Sequence, residues 1–270
     1  MKSIKLSDTN FSHARTSTDI QISKYVIWDR NISINDDLVI FTDNQMMSAH
    51  NYTGKKIGII MEPRAVNGGP YDWAKDNFNQ LDVILTYDKD LLEISDTFKF
   101  YPHSGCWIFP DDQKIHPKTK LLSIISSEKR QTIGHNLRHT IVNICRENNI
   151  DIDVFGRGYT SIENKKYGLS DYAYSVVIEN SKSDYYFTEK LIDSFVTGTV
   201  PIYWGCPSIG DFFNEKGMII FNDEVDFIDK ITNLTLEKYT EMLPYIQENF
   251  DKALNYLMME NWIIENNLID

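Results

Sequence analysis

The sequence predicts an α/β protein whose strands are buried in parallel sheets. Short runs rich in Val and Ile recur along the chain, and such near-continuous apolar runs are typical of strands that are covered on both faces. Apolar residues at helical spacing separate several of these runs. The 270 residues, of which 42% are hydrophobic and 24% charged, suit one large or two small globular domains.

Composition and cysteine usage restrict the class of partner. The net charge of −12 disfavours nucleic acid and anionic membranes as main partners. No apolar run approaches the roughly 20 residues of a membrane-spanning helix, and residues 1–8 lack the apolar core of a signal peptide. Three widely spaced cysteines, Cys106, Cys145 and Cys206, indicate free thiols. We therefore expect a cytoplasmic protein with no transmembrane segment and no nucleic-acid partner.

The amino-terminal part is predicted to be a trimmed α/β unit. Residues 1–22 are polar and without period, so we expect a loosely held leader or a frayed edge element. Between Trp28 and Asp37 there is no room for a crossover helix, which needs about a dozen residues. The predicted strands of this part are Lys24–Trp28, Asp37–Thr42, Lys56–Met61 and Asp82–Thr86.

The carboxyl-terminal part alternates strand and helix more fully. We expect a strand at Leu121–Ser126, a helix that ends at about Asn148 and a strand at Asp151–Gly156. A further strand is predicted at Met218–Phe221. From Thr235 onward the apolar residues recur at helical spacing, which predicts a helical end of the chain.

Residues 176–205 are predicted to form a strand, a loop, a helix and a second strand. Thr188 is a favourable N-cap residue, and the apolar residues after it recur at helical spacing. Gly198 is placed to end the helix in the left-handed conformation that glycine adopts easily. Thr199–Trp204 is predicted to be the buried strand that follows.

Glu189 and Lys190 fall in the first turn of this helix, beside unpaired backbone N–H groups and the positive end of the helix dipole. A Lys at this position can hold a phosphate, and a carboxylate can accept hydrogen bonds from ribose hydroxyls. Together the two residues indicate a site for a nucleotide diphosphate. The alternative is that Glu189 only complements the dipole and that Lys190 is a solvated surface residue.

Three stretches of this segment carry a family resemblance. Ile-Glu-Asn-Ser at 178–181, Tyr-Tyr-Phe-Thr-Glu-Lys-Leu at 185–191 and Gly-Thr-Val-Pro-Ile-Tyr-Trp-Gly at 198–205 resemble the donor-binding segment of the family 10 glycosyltransferases, the α-1,3/α-1,4-fucosyltransferases. The resemblance implies a GT-B enzyme with two Rossmann-like domains that face a cleft. It also implies transfer of a sugar from a GDP-sugar with inversion and without a bound metal or other cofactor.

The resemblance further names residues of this chain as nucleotide-sugar contacts. Within the segment these are Asn180, Tyr186, Glu189 and Lys190. Tyr186 would stack on the donor or hydrogen-bond to it through its amphipathic ring. The alternative for Tyr186 is a packing role in a partly buried position.

The family also has an Arg that clamps the pyrophosphate at the junction of a strand and the next helix. Arg138 is the best match by its distance from the following predicted strand, and a guanidinium offers fixed donors and a permanent charge. Lys129 and Arg130 remain alternatives, because this loop has no gapless match to the family.

Glu62 follows the third predicted strand, where open α/β sheets place residues that contact ligands. Fucosyltransferases carry Glu-Ser-Pro at a comparable place, and this chain has Glu-Pro without the Ser. The resemblance implies that Glu62 is the general base that deprotonates the acceptor hydroxyl. The alternatives are that Glu62 caps the following turn or pairs with Arg64.

Other polar residues are predicted to be structural. His135 and His139 are one helical turn apart, but no third ligand has the spacing of a zinc site, so we expect no bound metal. Asp151 and Asp153 mimic the Asp-X-Asp motif of manganese-dependent glycosyltransferases, yet they lie in a predicted strand. His103 either lines the cleft or is structural within its aromatic stretch.

These observations combine into one hypothesis with alternatives. Residues 1–117 would form the acceptor-side domain and residues 118–270 the nucleotide-sugar domain, with the last helices, about 250–270, packing on the first domain. The resemblance favours transfer of fucose from GDP-fucose to a hydroxyl of a carbohydrate acceptor. The alternatives are another donor, such as GDP-mannose or a UDP-sugar, or a catalytically silent protein that binds nucleotide or carbohydrate.

Overall fold

A computed structural model describes residues 1–9, 14–103 and 105–269 of the chain. The chain divides into two compact units. The first comprises Met1–Gly105, Asp184–Tyr186 and Met258–Asp270, and the second comprises Cys106–Ser183 and Phe187–Leu257. Each unit is organised around its own parallel sheet, as the sequence predicts.

Over its described residues, the first unit contains six strands and three α-helices. The strands are β1 (Lys2–Ser7), β2 (Val26–Asp29), β3 (Leu38–Thr42), β4 (Lys55–Ile59), β5 (Val83–Thr86) and β6 (Phe98–Phe100). The helices are α1 (Gly69–Asn77), α2 (Lys89–Leu92) and α8 (Met259–Glu265). The strand order is β2-β1-β3-β4-β5-β6, and the recorded pairings are parallel.

Both faces of this sheet are covered by apolar side chains. Along β3, Ile40 packs on one face, while Val39 and Phe41 pack on the other. Successive residues of a strand point to opposite faces, so burial on both sides explains the continuous apolar run that predicts the strand. The connections are short, because α1 has nine residues, α2 has four and a 3-10 helix at Asp43–Asn51 joins β3 to β4.

The prediction of a loose leader at residues 1–22 is wrong for its first part. β1 lies inside the sheet between β2 and β3 rather than at an edge. Ile4 and Leu6 are its buried residues, and the polar residues around them hide the strand from a search for continuous apolar runs. Residues 10–13 of the predicted leader lie outside the described residues.

The second unit contains five strands and five α-helices, counted over the described residues. The strands are β7 (Lys120–Ile125), β8 (Asp153–Phe155), β9 (Tyr172–Ile178), β10 (Val200–Trp204) and β11 (Ile219–Ile220). The helices are α3 (Ile133–Glu147), α4 (Glu189–Phe195), α5 (Glu224–Ile231), α6 (Leu236–Glu241) and α7 (Leu243–Ala253). The strand order is β11-β10-β9-β7-β8.

β9 is the centre of this second sheet, and all seven of its residues are buried. Val176 and Ile178 pack with Ile141 of α3 on one face, whereas Val177 packs with Leu191 of α4 on the other. Helices therefore cover both faces, which is the arrangement of a doubly wound Rossmann-like sheet. The three cysteines are buried free thiols, as the sequence predicts.

The carboxyl-terminal segment belongs to the first unit. Met259 and Ile263 of α8 join the apolar cluster that contains Ile57 and Ile59 of β4. The predicted boundary near residue 117 falls between β6, the last strand of the first unit, and β7. Over the described residues, no helix has the length and apolar character needed to cross a membrane.

Candidate functional site

A cavity of about 290 Å³ lies in the second unit at the carboxyl ends of its strands. Ser126 follows β7, Gly156 follows β8, and Ile178 ends β9. β7 lies between β8 and β9 in the sheet. After β7 the chain forms β8 on one side of β7 and then β9 on the other side, so the strand order reverses at β7. Open parallel sheets bind ligands at such a reversal of strand order. The cavity therefore occupies the position that this fold favours for a ligand.

The charges around the cavity favour an anionic ligand. Four lining residues are cationic, Arg138, Arg157, Lys165 and Lys190, against two carboxylates. Since burial weakens the screening by water, such a surplus attracts a phosphate more strongly than the same charges on an open surface.

Arg138 lies in the second turn of α3, only 5% exposed. Its Nε donates to the carbonyl oxygen of Ile178 at 3.0 Å, and its Nη2 donates to Oδ1 of Asn180 at 3.0 Å. The guanidinium is thereby fixed at the end of β9. The alternatives Lys129 and Arg130 are exposed residues before α3 and do not line the cavity.

Gly134 allows α3 to begin directly against the end of β9. The Gly134 N–H donates to the carbonyl oxygen of Asn180 at 3.1 Å. A Cβ atom at Gly134 would lie 1.7 Å from the carbonyl oxygen of Glu179. Only glycine permits this approach, and the approach places Arg138 at the cavity.

Glu179 holds the start of α4, a role that the sequence analysis missed. Its side chain is fully buried. One carboxylate oxygen accepts from the Thr188 N–H at 2.8 Å, and the other accepts from Thr188 Oγ1 at 2.7 Å. Thr188 in turn caps α4 by accepting from the Lys190 N–H at 3.4 Å. The signal in the sequence is a carboxylate directly after the apolar run 176–178, because a buried carboxylate is rare unless it is paired.

The cap changes how the start of α4 is understood. The sequence suggests free N–H groups there, but the Thr188 hydroxyl takes up the Lys190 N–H. α4 also begins, as predicted, directly after Thr188, and Gly198 adopts the left-handed conformation with φ +70°. The Lys165 and Lys190 side chains supply formal positive charge to the cavity lining.

Lys165 and Asp193 form an ion pair in the cavity wall that no sequence pattern predicts. Lys165 Nζ lies 2.8 Å from Asp193 and 3.5 Å from Glu189. Burial alone disfavours the Lys165 ammonium, but the two carboxylates outweigh it and raise the pKa of Lys165. The Trp107 N–H also donates to Asp193 at 2.6 Å. No spacing in the sequence links these residues, since they meet only through the tertiary fold.

The structure brings together three of the predicted donor contacts. Arg138, Glu189 and Lys190 line the cavity, and Lys190 Nζ lies 3.3 Å from Glu189 Oε1. Asn180 is adjacent but is bonded to Arg138 rather than being one of the lining residues. Tyr186 belongs to the first unit, where it is 1% exposed and its ring centroid lies 5.0 Å from that of Tyr87.

Glu62 lies in the first unit, three residues after β4 ends. Its alternative partner Arg64 pairs with Asp72 and Asp88, at 3.2 Å each. No hydrogen bond or ion pair of the Glu62 carboxylate is recorded among the described residues. His103 contacts the carbonyl oxygen of Met61 through Nδ1 at 2.9 Å.

The two histidines of α3 have protein partners. His135 Nδ1 lies 2.9 Å from Thr132 Oγ1, and His139 contacts the Tyr159 hydroxyl at 2.7 Å. Burial, and next the charge of Arg138, lower the pKa of His135 to about 4. Across the part of the chain that the structure describes, no group of three His, Cys, Asp or Glu side chains is arranged to hold a metal ion.

Comparison with known proteins identifies a family for most of the second unit. The family model described as "Glycosyltransferase family 10 (fucosyltransferase) C-term" matches residues 115–263, more than half of the chain. An alpha-(1,3)-fucosyltransferase of Helicobacter pylori is 32% identical over 109 residues, which are 40% of this chain and 22% of that protein. Alpha-(1,3)-fucosyltransferase B of Drosophila melanogaster is 41% identical over 56 residues, which are 20% of this chain and 13% of that protein. The matches therefore span less than a quarter of each relative's length.

Solved structures extend the similarity to the whole fold. The crystal structure of an alpha1,3-fucosyltransferase with GDP superposes with a TM-score of 0.59 at 18% identity. The superposition covers 94% of this chain and 88% of that chain. At this identity the likeness concerns the fold, which is the GT-B fold with two Rossmann-like domains.

Proposed function

Because the chain belongs to glycosyltransferase family 10, we propose that it transfers fucose from GDP-fucose to a hydroxyl of a carbohydrate acceptor. The observation that carries the proposal is the cavity at the carboxyl ends of β7 and β9, with four cationic side chains around it. A nucleoside diphosphate has the charge and the size that such a cavity suits. Solved alpha1,3-fucosyltransferases with GDP and with GDP-fucose share the fold.

In this proposal the diphosphate lies between Arg138 and Lys190. Negative charge develops on the GDP leaving group as the bond to the sugar breaks, and fixed cations stabilise that charge. Arg138 is held in place by Ile178 and Asn180 before any ligand arrives. Little reorganisation is then needed during the reaction, which is the physical advantage of a preformed site.

Glu189 is the proposed partner of the ribose hydroxyls. Its carboxylate lines the cavity and is held by Lys165 and Lys190, at 3.5 Å and 3.3 Å. Both contacts are to Oε1, and a carboxylate offers about four lone-pair sites on its two oxygens, so it can accept from a hydroxyl in addition to these lysines.

Glu62 is the proposed general base, and the first unit is the proposed acceptor side. A single displacement at the sugar carbon inverts its configuration and needs one group to remove the acceptor proton. We propose that the cations around the diphosphate make a divalent metal unnecessary. Two measurements test these points: NMR of the product, with an anomeric configuration opposite to that of the donor expected, and the initial rate with and without EDTA, with no loss expected.

The first experiment is a calorimetric titration of the wild type, Lys190→Ala and Lys182→Ala with GDP, GDP-fucose, GDP-mannose and UDP. We expect GDP affinity to fall tenfold or more in Lys190→Ala, which corresponds to about 1.4 kcal/mol. Lys182 is the matched control, because it is an exposed lysine of the same connection and contacts Asn222 at 3.4 Å. Its substitution should leave affinity unchanged.

The rank order of the nucleotides then tests the donor. Tighter binding of GDP-fucose than of GDP-mannose supports fucose. Binding of UDP without GDP would keep the fold and overturn the donor. Donor binding without turnover against a panel of galactose- and N-acetylglucosamine-containing oligosaccharides would favour a catalytically silent binding protein.

A further inference from the structure

The carboxyl ends of four neighbouring strands in the first unit meet around one dipeptide, Met61-Glu62. β3, β4, β5 and β6 are adjacent in the sheet. Asp43 follows β3, Tyr87 follows β5 and His103 follows β6. These residues lie at the same edge because parallel strands end on the same side of a sheet.

The backbone of Met61-Glu62 is held by side chains. Oδ1 of Asp43 accepts from the N–H of Met61 at 2.8 Å and from the N–H of Glu62 at 3.4 Å. His103 Nδ1 lies 2.9 Å from the Met61 carbonyl oxygen, which can only accept, so Nδ1 carries the hydrogen. The Tyr71 hydroxyl donates to the Glu62 carbonyl oxygen at 2.8 Å. All four backbone polar groups of the dipeptide therefore have a side-chain partner.

Tyr71 and Tyr87 form a chain of hydroxyl groups. The two oxygens lie 2.7 Å apart, and both residues are buried. A hydroxyl has one hydrogen, so Tyr87 donates to Tyr71 while Tyr71 donates to Glu62. Burial raises the pKa of both hydroxyls, which keeps them protonated as donors.

Asp43 is held in a strained conformation at this place. It is 2% exposed, and its φ is +45°, in the left-handed region that non-glycine residues seldom occupy. Such strain persists where the surrounding contacts over-determine it, and it is frequent at functional sites. Here the strain accompanies contacts to the residue that we propose as the base.

We propose that Asp43 is a positioning residue for Glu62, supported by His103 and Tyr71. The inference rests on the proposed function, in which Glu62 takes the acceptor proton. With the peptide groups of Met61 and Glu62 fixed, the direction in which the Glu62 side chain leaves the backbone is fixed as well. General base catalysis depends on such placement, because a proton is transferred only within hydrogen-bonding distance.

The test uses Asp43→Ala and Asp43→Asn, with initial rates of GDP release from GDP-fucose in the presence of the oligosaccharide panel. Asp43→Ala should lower kcat by about 10- to 100-fold, with donor KM and GDP affinity unchanged, since displacements of about 1 Å have effects of this size. Asp43→Asn should recover most of the loss, because its amide oxygen can still accept and Asn tolerates the left-handed conformation.

Asp82→Ala is the matched control. Asp82 likewise accepts from a backbone N–H of the same sheet, that of Lys56 at 2.7 Å, but next to the start of β5 and away from Glu62. Its kcat should match the wild type. Far-UV circular dichroism of each variant shows whether the chain is folded, and if Asp43→Ala does not fold, His103→Ala replaces it in the same measurements.

A double-mutant cycle separates positioning from a general structural effect. In a Glu62→Gln background, Asp43→Ala should cause no further loss of kcat, because residues that act through one group are not additive. Equal losses in both backgrounds would overturn the inference, as would wild-type kcat in Asp43→Ala beside an impaired Glu62→Gln. If Glu62→Gln itself keeps wild-type kcat, the base assignment in the proposed function fails first, and the inference fails with it.

Discussion

The cavity of the second unit and the Glu62 region of the first unit differ in which groups their side chains hold. In the cavity, charged side chains hold one another, as Lys165 holds Asp193 and Glu189. Around Glu62, side chains hold the backbone, while the Glu62 carboxylate itself has no recorded partner among the described residues. The two arrangements fit the two tasks that we propose. Buried charges need partners before a ligand arrives, whereas a base needs a fixed position and a carboxylate that can still accept a proton.

The largest expected effect is that of Glu62→Gln. The amide cannot take the proton from the hydroxyl of the carbohydrate acceptor, so kcat should fall by about 10²- to 10⁴-fold. GDP affinity should stay within about twofold, because Glu62 lies in the other unit from the cavity. Initial rates and calorimetry on the same preparation measure both quantities. A large loss of GDP affinity would mean that the division of tasks is wrong.

The next largest effect is expected for Gly134→Ala, which should destabilise the fold and weaken GDP binding together. The new Cβ would lie 1.7 Å from the Glu179 carbonyl oxygen, so α3 must move and carry Arg138 with it. We expect a loss of about 3 kcal/mol in the free energy of unfolding, measured by urea denaturation. Gly69→Ala is the control, since its Cβ would have its nearest neighbour at 3.7 Å, an ordinary contact.

The next prediction concerns the pH dependence of stability that His135 of α3 causes. The pKa of His135 is about 4 in the folded protein and about 6.5 in the unfolded chain. Between these values the unfolded chain binds more protons than the folded protein, so the free energy of unfolding rises with pH and falls on acidification. We expect the His135 side chain to lower the free energy of unfolding by on the order of 2 kcal/mol as the pH falls from 6.5 to 4.

The variant for this prediction is His135→Gln, compared with the wild type by urea denaturation at several pH values. The stability of the variant should depend less on pH in this range than that of the wild type. Identical pH dependence in the two proteins would show that His135 is not held neutral by burial and by Arg138.

The smallest effect is expected for Arg157→Ala. Arg157 lines the cavity but is exposed, so water and salt screen its charge. GDP affinity should fall about threefold, or about 0.6 kcal/mol, and the difference should shrink as salt is added. Arg146→Ala is the matched control, because Arg146 is an exposed arginine in the last turn of α3, away from the cavity. If Arg157→Ala weakens GDP binding as much as Lys190→Ala does, the phosphate lies nearer the exposed Arg157 than we propose.

Much of the fold follows from local pattern. The apolar runs predict β3, β4, β5, β7 and β9 because these strands are covered on both faces. The helix α4 and its cap follow from Thr188 and the spacing after it. The pattern does not predict β1, because a strand with polar residues at alternate positions carries too weak a signal over six residues.

The sequence by itself determined the alternation of strand and helix, the family and the residues Glu62, Arg138, Glu189 and Lys190 as candidates. Each of these candidates depends on its position relative to a nearby predicted strand or helix, which the local sequence pattern reveals. The tertiary structure decided which side chains are partners. Lys165 meets Asp193 and Glu189, and Asp43 meets Met61 and Glu62, because the ends of parallel strands gather residues that are distant in the chain. Local sequence patterns do not predict contacts between residues that lie so far apart in the chain.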